Sequence, residues 1–466
     1  MGLLQRLRDV GNSDAVMSRQ AAEERTNDLL ELWRKERDRL DVIDRYLSGD
    51  HDMPYMPKEA KQEYKLLARR AVTNLCPLIV NETVQALRVD GYRRKDQPEN
   101  ASAWRWWQAN GLDARQMPLH HASLAYGLSY EVVLPGEDSV TREPAPLIRG
   151  LSPREMYAAY GDPAWDDWPL FAIRVEPQGQ GVNAVTLYDE TAVYRLTAGS
   201  MGGDATLLDW QIHGLGVCPV VKFADMPDLE GRVTGQVAPY VTMQDRINQD
   251  VFDRLLTQTY SSFKVRTATG IAVEKDKDGN PVKPIEVERN RLLTTSNKDA
   301  RFDSLDESPI GPFLESEEQD VRRLATMSQT PPTSLLGQIT NMTAESLVVA
   351  RMGADGKTDD RKQVYGEAHE QKLRLAALAA GDSEGSRDVE AEVRWRDMGA
   401  RALAQLADAF TKLASPEGLG LPRQLLWEKL PFLTQTDVER AKEMAAEADG
   451  LRQLLDRVGA DLDADG

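Results

Sequence analysis

Three aspartates, Asp162, Asp166 and Asp167, stand close enough in sequence to hold a divalent metal for phosphodiester chemistry. They fall in Tyr160-Gly161-Asp162-Pro163-Ala164-Trp165 and its continuation, a run of turn-forming residues, and a structural turn is the reading that composition favours. Gly353-Ala354-Asp355-Gly356-Lys357-Thr358 ends like a phosphate-binding loop, but the place of its first glycine is taken by Arg351 and both flanks read as helix. Asp276-Lys277-Asp278-Gly279-Asn280 begins like a calcium loop. Pro281 then replaces the required glycine and Val287 the closing glutamate, which leaves a solvated hairpin turn. The histidines His51, His120, His121, His213 and His369 make no His-Glu-x-x-His pair, and neighbours such as His120 and His121 point about 100° apart on a helix. Gly179-Gln180-Gly181 lies between strands and supplies turn glycines. Cys76 and Cys218 follow no metal spacing and read as two buried free thiols. No Gly-x-Ser-x-Gly elbow and no catalytic Cys/His pattern occurs. The expectation is a protein with no catalytic residue, no cofactor and no metal.

The elements that carry these residues begin with a long polar helix over 14–45, striped by Leu29, Leu32, Trp33, Leu40 and Ile43. An apolar helix over 68–87 follows, then a helix-to-strand change with Gly91 as the break. Trp104, Trp106 and Trp107 precede a helix over 113–127; a base-stacking surface is conceivable, but aromatics at this spacing between helices read as core. Short alternating runs at 130–134, 170–175, 184–188, 192–196 and 218–223 predict an antiparallel sheet packed on those helices.

The chain is organised around 236–329. A helix over 236–260 buries a stripe of Val237, Val241, Ile247, Val251 and Leu255. The period then changes to alternation at 263–267, 270–273 and 285–288, with turn chemistry at 278–281. A return helix over 313–329 ends at Pro331-Pro332. A polar loop over 333–341, a helix over 343–380 kinked near Gly353 and Gly356, a strand over 390–395 and helices over 401–414, 422–430 and 436–458 complete the reading.

The length implies two to four domains. Hydrophobic content of 41% and charged content of 28% are those of a soluble globular protein, with no run of about 18 apolar residues and no signal-like N-terminus, so a cytoplasmic protein without a membrane partner is expected. A net charge of −18 argues against tight gripping of nucleic acid through the whole surface. It is compatible with a duct past which DNA slides, because like charge lowers the barrier to sliding.

The order of elements resembles the portal proteins of tailed bacteriophages, of the long-tailed-phage type. The resemblance is carried by Tyr46-Leu47-Ser48-Gly49; Asn74, Ile79-Val80 and Leu87 before Gly91; and Gly216-Val217-Cys218-Pro219-Val220-Val221-Lys222-Phe223 followed by Gly235. It continues in Gln244-Asp245-Arg246-Ile247-Asn248-Gln249, Thr330-Pro331-Pro332, Ala344-Glu345-Ser346-Leu347 and Leu430-Pro431-Phe432-Leu433-Thr434. It covers all but about the first and last dozen residues, and its strength lies in the shared order of motifs.

The resemblance implies an α+β portal fold. Residues 1–235 would be a wing of helices and sheet, 236–261 and 312–330 two stem helices, 262–311 a clip between them, 331–343 a tunnel loop, 344–400 a long kinked helix with a wing strand, and 401–466 a helical crown. It implies a closed ring, generally of twelve copies, at one capsid vertex, present in the virion and in the host cytoplasm during assembly. Double-stranded DNA would pass through its channel. The terminase large subunit, major capsid protein, scaffold and head–tail adaptor would be its partners. Gln338, Ile339, Thr340, Asn341 and Met342 would project into the channel, without a lysine or arginine among them. Arg246, Arg254, Arg322 and Arg323 are the basic candidates of the channel stem, with inter-subunit ion pairing to Asp245, Asp250, Asp253 or Asp320 as the alternative reading. Val265, Arg266, Val287 and Arg289 are the clip residues assigned to motor docking. Two other classes stay open at this point: a metal-dependent DNA-processing enzyme using Asp162, Asp166 and Asp167, and a phage adaptor or scaffold without a DNA channel.

Overall fold

A computed structural model describes residues 16–56, 62–93, 101–138, 142–200, 202–261, 266–269, 301–304, 309–337, 344–396, 403–415 and short stretches between 419 and 447. The chain forms two compact units: one of residues 1–50, 74–241 and 325–466, the other of 51–73 and 242–324. It is a mixed helix-and-sheet protein whose sheets are antiparallel.

In the larger unit, α1 (Arg19–Ser48) starts at Ser18, whose hydroxyl accepts from the Ala21 N–H, and ends at Gly49 with φ +86°. Its apolar stripe is split between two cores. Ala22, Leu29, Leu30 and Trp33 pack on a sheet, whereas Leu40, Ile43 and Tyr46 enter the central cluster. The single helix expected over 68–87 is two: α2 (Gln62–Ala71), which belongs to the smaller unit, and α3 (Cys76–Val84). Asn74 separates them. Its Oδ1 accepts from the Cys76 N–H and its Nδ2 donates to the Leu47 carbonyl, while Pro77 occupies the first turn of α3.

Strand β1 (Val89–Arg93) leads to α4 (Ala101–Ala109) and α5 (Leu112–Tyr126). The three tryptophans lie on α4. Trp107 is fully buried, Trp104 stacks on it at 5.5 Å, and Trp106 packs against the same core, which makes this cluster interior and not a base-stacking surface.

Eight strands follow: β2 (Leu128–Glu137), β3 (Pro144–Leu151), β4 (Met156–Ala159), β5 (Phe171–Gly179), β6 (Val182–Tyr188), β7 (Ala192–Gly199), β8 (Thr206–Ile212) and β9 (Val220–Ala224). They form two sheets where the sequence suggests one, ordered β3-β2-β9 and β4-β5-β6-β7-β8. Gly127 (φ +98°) and Gly235 (φ +70°) meet backbone to backbone just before β2. A Cβ on Gly235 would lie 2.6 Å from the Gly127 nitrogen, so neither position accepts a side chain.

Next come α6 (Val241–Ser261), β10 (Arg266–Thr269), β11 (Arg301–Ser304) and α7 (Gly311–Met327); β10 and β11 pair antiparallel. The polar loop expected over 333–341 contains a short helix, α8 (Pro332–Leu336), begun by the proline expected only to stop the previous helix and closed by Gly337 at φ +65°. Helix α9 (Ala344–Ala379) runs through Gly353 and Gly356 without interruption, so the composition break there is not an element boundary. It packs along β2, β9 and α4 in the larger unit. Strand β12 (Glu392–Trp395) returns across about three hundred residues of sequence to pair with β1. Helix α10 (Leu403–Ala414) follows.

Candidate functional site

The smaller unit is built from α2, α6 and most of α7. Val251 and Phe252 of α6 cluster with Ala68 and Ala71 of α2, and Ile247 of α6 is also fully buried. Burying each such large side chain contributes roughly 1.5–3 kcal/mol. The polar letters between them also have work. The Gln244 amide donates to the Thr73 carbonyl at 2.7 Å and to Asn248 Oδ1 at 3.0 Å, and that same Oδ1 accepts from the Thr73 N–H. Asn248 Nδ2 donates to Nδ1 of His51, which places the His51 proton on Nε2. Gln249 accepts from the Tyr55 N–H at 2.7 Å. The Gln-x-x-x-Asn-Gln pattern therefore ties His51, Tyr55 and Thr73 to α6.

The four candidate arginines are all ion-paired within the chain. Arg246 and Arg323 share Asp320, at 2.8 and 2.7 Å, and Asp320 is buried. Arg254 reaches Glu317 at 3.1 Å and Arg322 reaches Glu318 at 2.6 Å. Thus α6 and α7 are clasped by Arg246–Asp320 and Arg254–Glu317, with Ser316 donating to Asp250 as a third tie. Of the acids named from the sequence, Asp320 is a partner; Glu317 and Glu318 were not foreseen. Counting both helices, seven carboxylates stand against four arginines, leaving three net negative charges. Burial, first, raises the Asp253 pKa, with Asp250 adding to it.

Beyond α7 the larger unit takes over. The carbonyls of Met327 and Ser328, at and just past the end of α7, accept from the Tyr240 hydroxyl at 3.1 Å and from Lys357 Nζ at 2.9 Å. Lys357 and Thr358 are interior positions of α9, with the Thr358 hydroxyl on the Ala354 carbonyl, so the phosphate-loop resemblance is a helix. Burial, with Arg361 adding repulsion, lowers Lys357 to about 8. Arg361 in turn forms a buried pair with Asp225 at 2.7 Å. Glu82 of α3 binds Ser334 of α8 at 3.0 Å and Arg351 of α9 at 3.5 Å, and so holds both elements that flank residues 338–343. Glu82, Asp225, Lys357 and Arg361 carry no local sequence signal, since each partner is distant in the chain.

Several predicted site residues lie outside the described ones: Gln338, Ile339, Thr340, Asn341 and Met342, and Val265, Val287 and Arg289. Arg266 is in β10, opposite Ser304 of β11. The aspartate cluster is a hydrogen-bonded turn. The Asp162 N–H donates to Asp166 Oδ2 at 2.6 Å, Asp162 Oδ1 accepts from the Ala164 N–H, and the Asp162 carbonyl accepts from the Asp166 N–H. Among the described residues no group of three or more His, Cys, Asp or Glu is arranged to hold a metal, and no helix is long and apolar enough to cross a membrane.

A deeper polar line runs under β2. His120 Nδ1–H donates to the Leu87 carbonyl at 3.1 Å, so its Nε2 accepts from His369 Nε2–H at 2.8 Å. His369 Nδ1 is then an acceptor for Lys372, which also pairs with Glu131 at 3.0 Å and stands over the Trp107 ring. All four side chains are buried. Burial, then the Lys372 charge, lowers His120 to about 3 and drives His369 well below the usual imidazole range.

Comparison with known proteins finds portal proteins similar to this chain over most of its length. The portal protein of Mycobacterium phage D29 is 26% identical over 404 residues, 82% of this chain and 81% of that protein. The portal protein of Mycobacterium phage L5 is 26% identical over 366 residues, 74% and 73% of the two chains. Among solved structures, a chain in the neck of a native gene transfer agent particle with C12 symmetry aligns over 85% of this chain and 100% of its own, at 12% identity and a TM-score of 0.46. A chain in the virion of a native gene transfer agent particle aligns over 84% and 99%, at 13% identity and a TM-score of 0.45. The family described as phage portal protein, SPP1 Gp6-like, matches residues 27–451, and the chain belongs to that family.

Proposed function

We propose that this portal protein closes into a ring of twelve copies at one capsid vertex and forms the channel through which a packaging motor threads double-stranded DNA and through which DNA later leaves. The observation that carries the reading is the clasped pair α6 and α7, which leads into and out of the β10–β11 hairpin and bears an excess of negative charge. A duct walled by such helices repels phosphates and lets DNA slide, while the arginines are held in ion pairs. In this reading α6 and α7 are the stem, the segment between them is the clip that docks the terminase large subunit, and Gln338 to Met342 touch DNA by shape and weak polar contact. The major capsid protein, scaffold and head–tail adaptor meet other faces of the ring, in the host cytoplasm during assembly and in the virion thereafter.

Mass measurement and class-averaged imaging of the purified chain test the ring. The expected result is a closed ring with an open channel wide enough for a duplex; a strict monomer under all salt conditions, or a ring with no channel, overturns it. For the clip, Val265→Asp or Val287→Asp should lower packaging while leaving the subunit folded. Normal packaging by an unchanged ring removes the docking assignment.

A further inference from the structure

We propose that neighbouring copies of this chain meet head to tail, with Trp165 of one copy seated in a groove beside Leu147 of the next. The proposal rests on the ring reading above and names the surfaces that make it.

The knob is two adjoining loops. Trp165 is 77% exposed on the first and Leu229 is 87% exposed on the second, a degree of exposure that a lone subunit has no use for in side chains of this size. Both loops are held still. Asp162 and Asp166 close the first through the hydrogen bonds described above, and Lys222 Nζ and Gln371 Nε2 donate to the Pro163 and Asp167 carbonyls at 2.9 and 2.6 Å. Gly231, at φ +74°, sits so close to Pro163 that a Cβ would lie 2.6 Å from the Pro163 carbonyl carbon, so the second loop rests directly on the first. An apolar anchor that is already ordered loses little freedom when it docks. Its surroundings are acidic on balance: Asp162, Asp166, Asp167, Asp228 and Glu230, with Lys222 and Arg232 as neighbouring cations.

The groove is a cavity of about 650 Å³ between α5 and β3. Pro118, Ala122 and Leu147 give it apolar walls, and Arg115 and Arg149 give it charge; among the described residues its lining has no carboxylate. It has the size and polarity to take an indole with an acidic collar. The two surfaces also lie at opposite edges of one sheet. In the order β3-β2-β9, Leu151, Tyr130 and Lys222 form a single row, with the groove at Leu151 and the knob tied to Lys222. A contact from one edge of a subunit to the other edge of the next is heterologous and repeats, which is the geometry a ring requires.

The test uses the full chain. Trp165→Ala with Leu229→Ala should raise the protein concentration needed for half assembly by about tenfold, as loss of a central apolar anchor does. Mixing a Trp165→Cys chain with a Leu147→Cys chain and adding a short bismaleimide should give a covalent dimer that neither chain gives alone; the native Cys76 and Cys218 are buried. If the alanine variant fails to fold by circular dichroism, the cysteine pair at two exposed positions still decides. Rings that form without the cross-link, or that assemble normally with Trp165 and Leu229 removed, overturn this contact and leave the ring reading intact. A wild-type chain that never assembles overturns both.

Discussion

His120, His369, Lys372 and Glu131 show what burial does to ordinary titratable groups. The line of protons from Lys372 through His369 and His120 to the Leu87 carbonyl is satisfied only while both imidazoles are neutral. The folded values lie below the ordinary 6.5, about 3 for His120. The unfolded chain therefore binds more protons as pH falls below 6.5, and stability is lost through that window down to about 3. The expected slope is about 1.4 kcal/mol per pH unit for each histidine. Tm measured at pH 7, 6, 5 and 4 should fall progressively, and His369→Gln should flatten the dependence; a Tm flat to pH 4 contradicts the assignment. Lys357, lowered to about 8 from 10.5, works in the opposite range: the folded state releases its proton first, so its contribution improves as pH rises from 8 toward 10.5. The sequence shows His120 beside His121 and stops there. Its real partner is His369, and no local spacing encodes a contact 249 residues away.

At the scale of elements, α6 was legible by period and α9 by length, because a buried stripe leaves a 3.6-residue record. Strands β3, β4 and β8 were missed for the opposite reason. Six of the seven residues of β8 are exposed, and β3 carries Pro144 and Pro146 along an edge, so neither alternates in hydrophobicity. The break between α2 and α3 did leave a signal, Asn74 ahead of Pro77, which the apolar run on either side concealed. Two predictions belong here. Asn248→Ala removes the acceptor of the part-buried Thr73 N–H and the donor to buried His51, and should cost about 1–3 kcal/mol. Faster hydrogen exchange confined to residues 51–73 and α6 is the expected readout, and unchanged exchange contradicts it. A Cβ at Gly356 would meet nothing within 4 Å, so the glycine there serves no packing need. Gly356→Ala should raise helix stability by about 1 kcal/mol. A higher Tm joined to lower packaging would show that α9 bends there in use; a lower Tm contradicts the prediction.

For the whole molecule the charge of −18 and the acid excess of α6 and α7 make one argument. Each arginine of the pair is matched to a carboxylate by geometry, so in the channel reading proposed above the three surplus negative charges would be what a passing phosphate meets. Exposed Glu315 of α7 is where this can be changed with least damage to the fold. Glu315→Lys moves the pair from three surplus charges to one and, in the proposed channel, would place an ammonium where phosphates slide. Repeated around a ring, this should slow DNA release in a triggered-ejection assay, because counterion release then favours retention. The slowing should fade as salt rises, since exposed charges are screened within about 8–10 Å at 0.10–0.15 M ionic strength. Glu315→Gln separates the two effects: it removes repulsion without adding attraction and should slow release less. Release that is unchanged by either substitution at low salt would mean that another stripe of the helix pair faces the duct, and would remove Glu315 from the sliding surface.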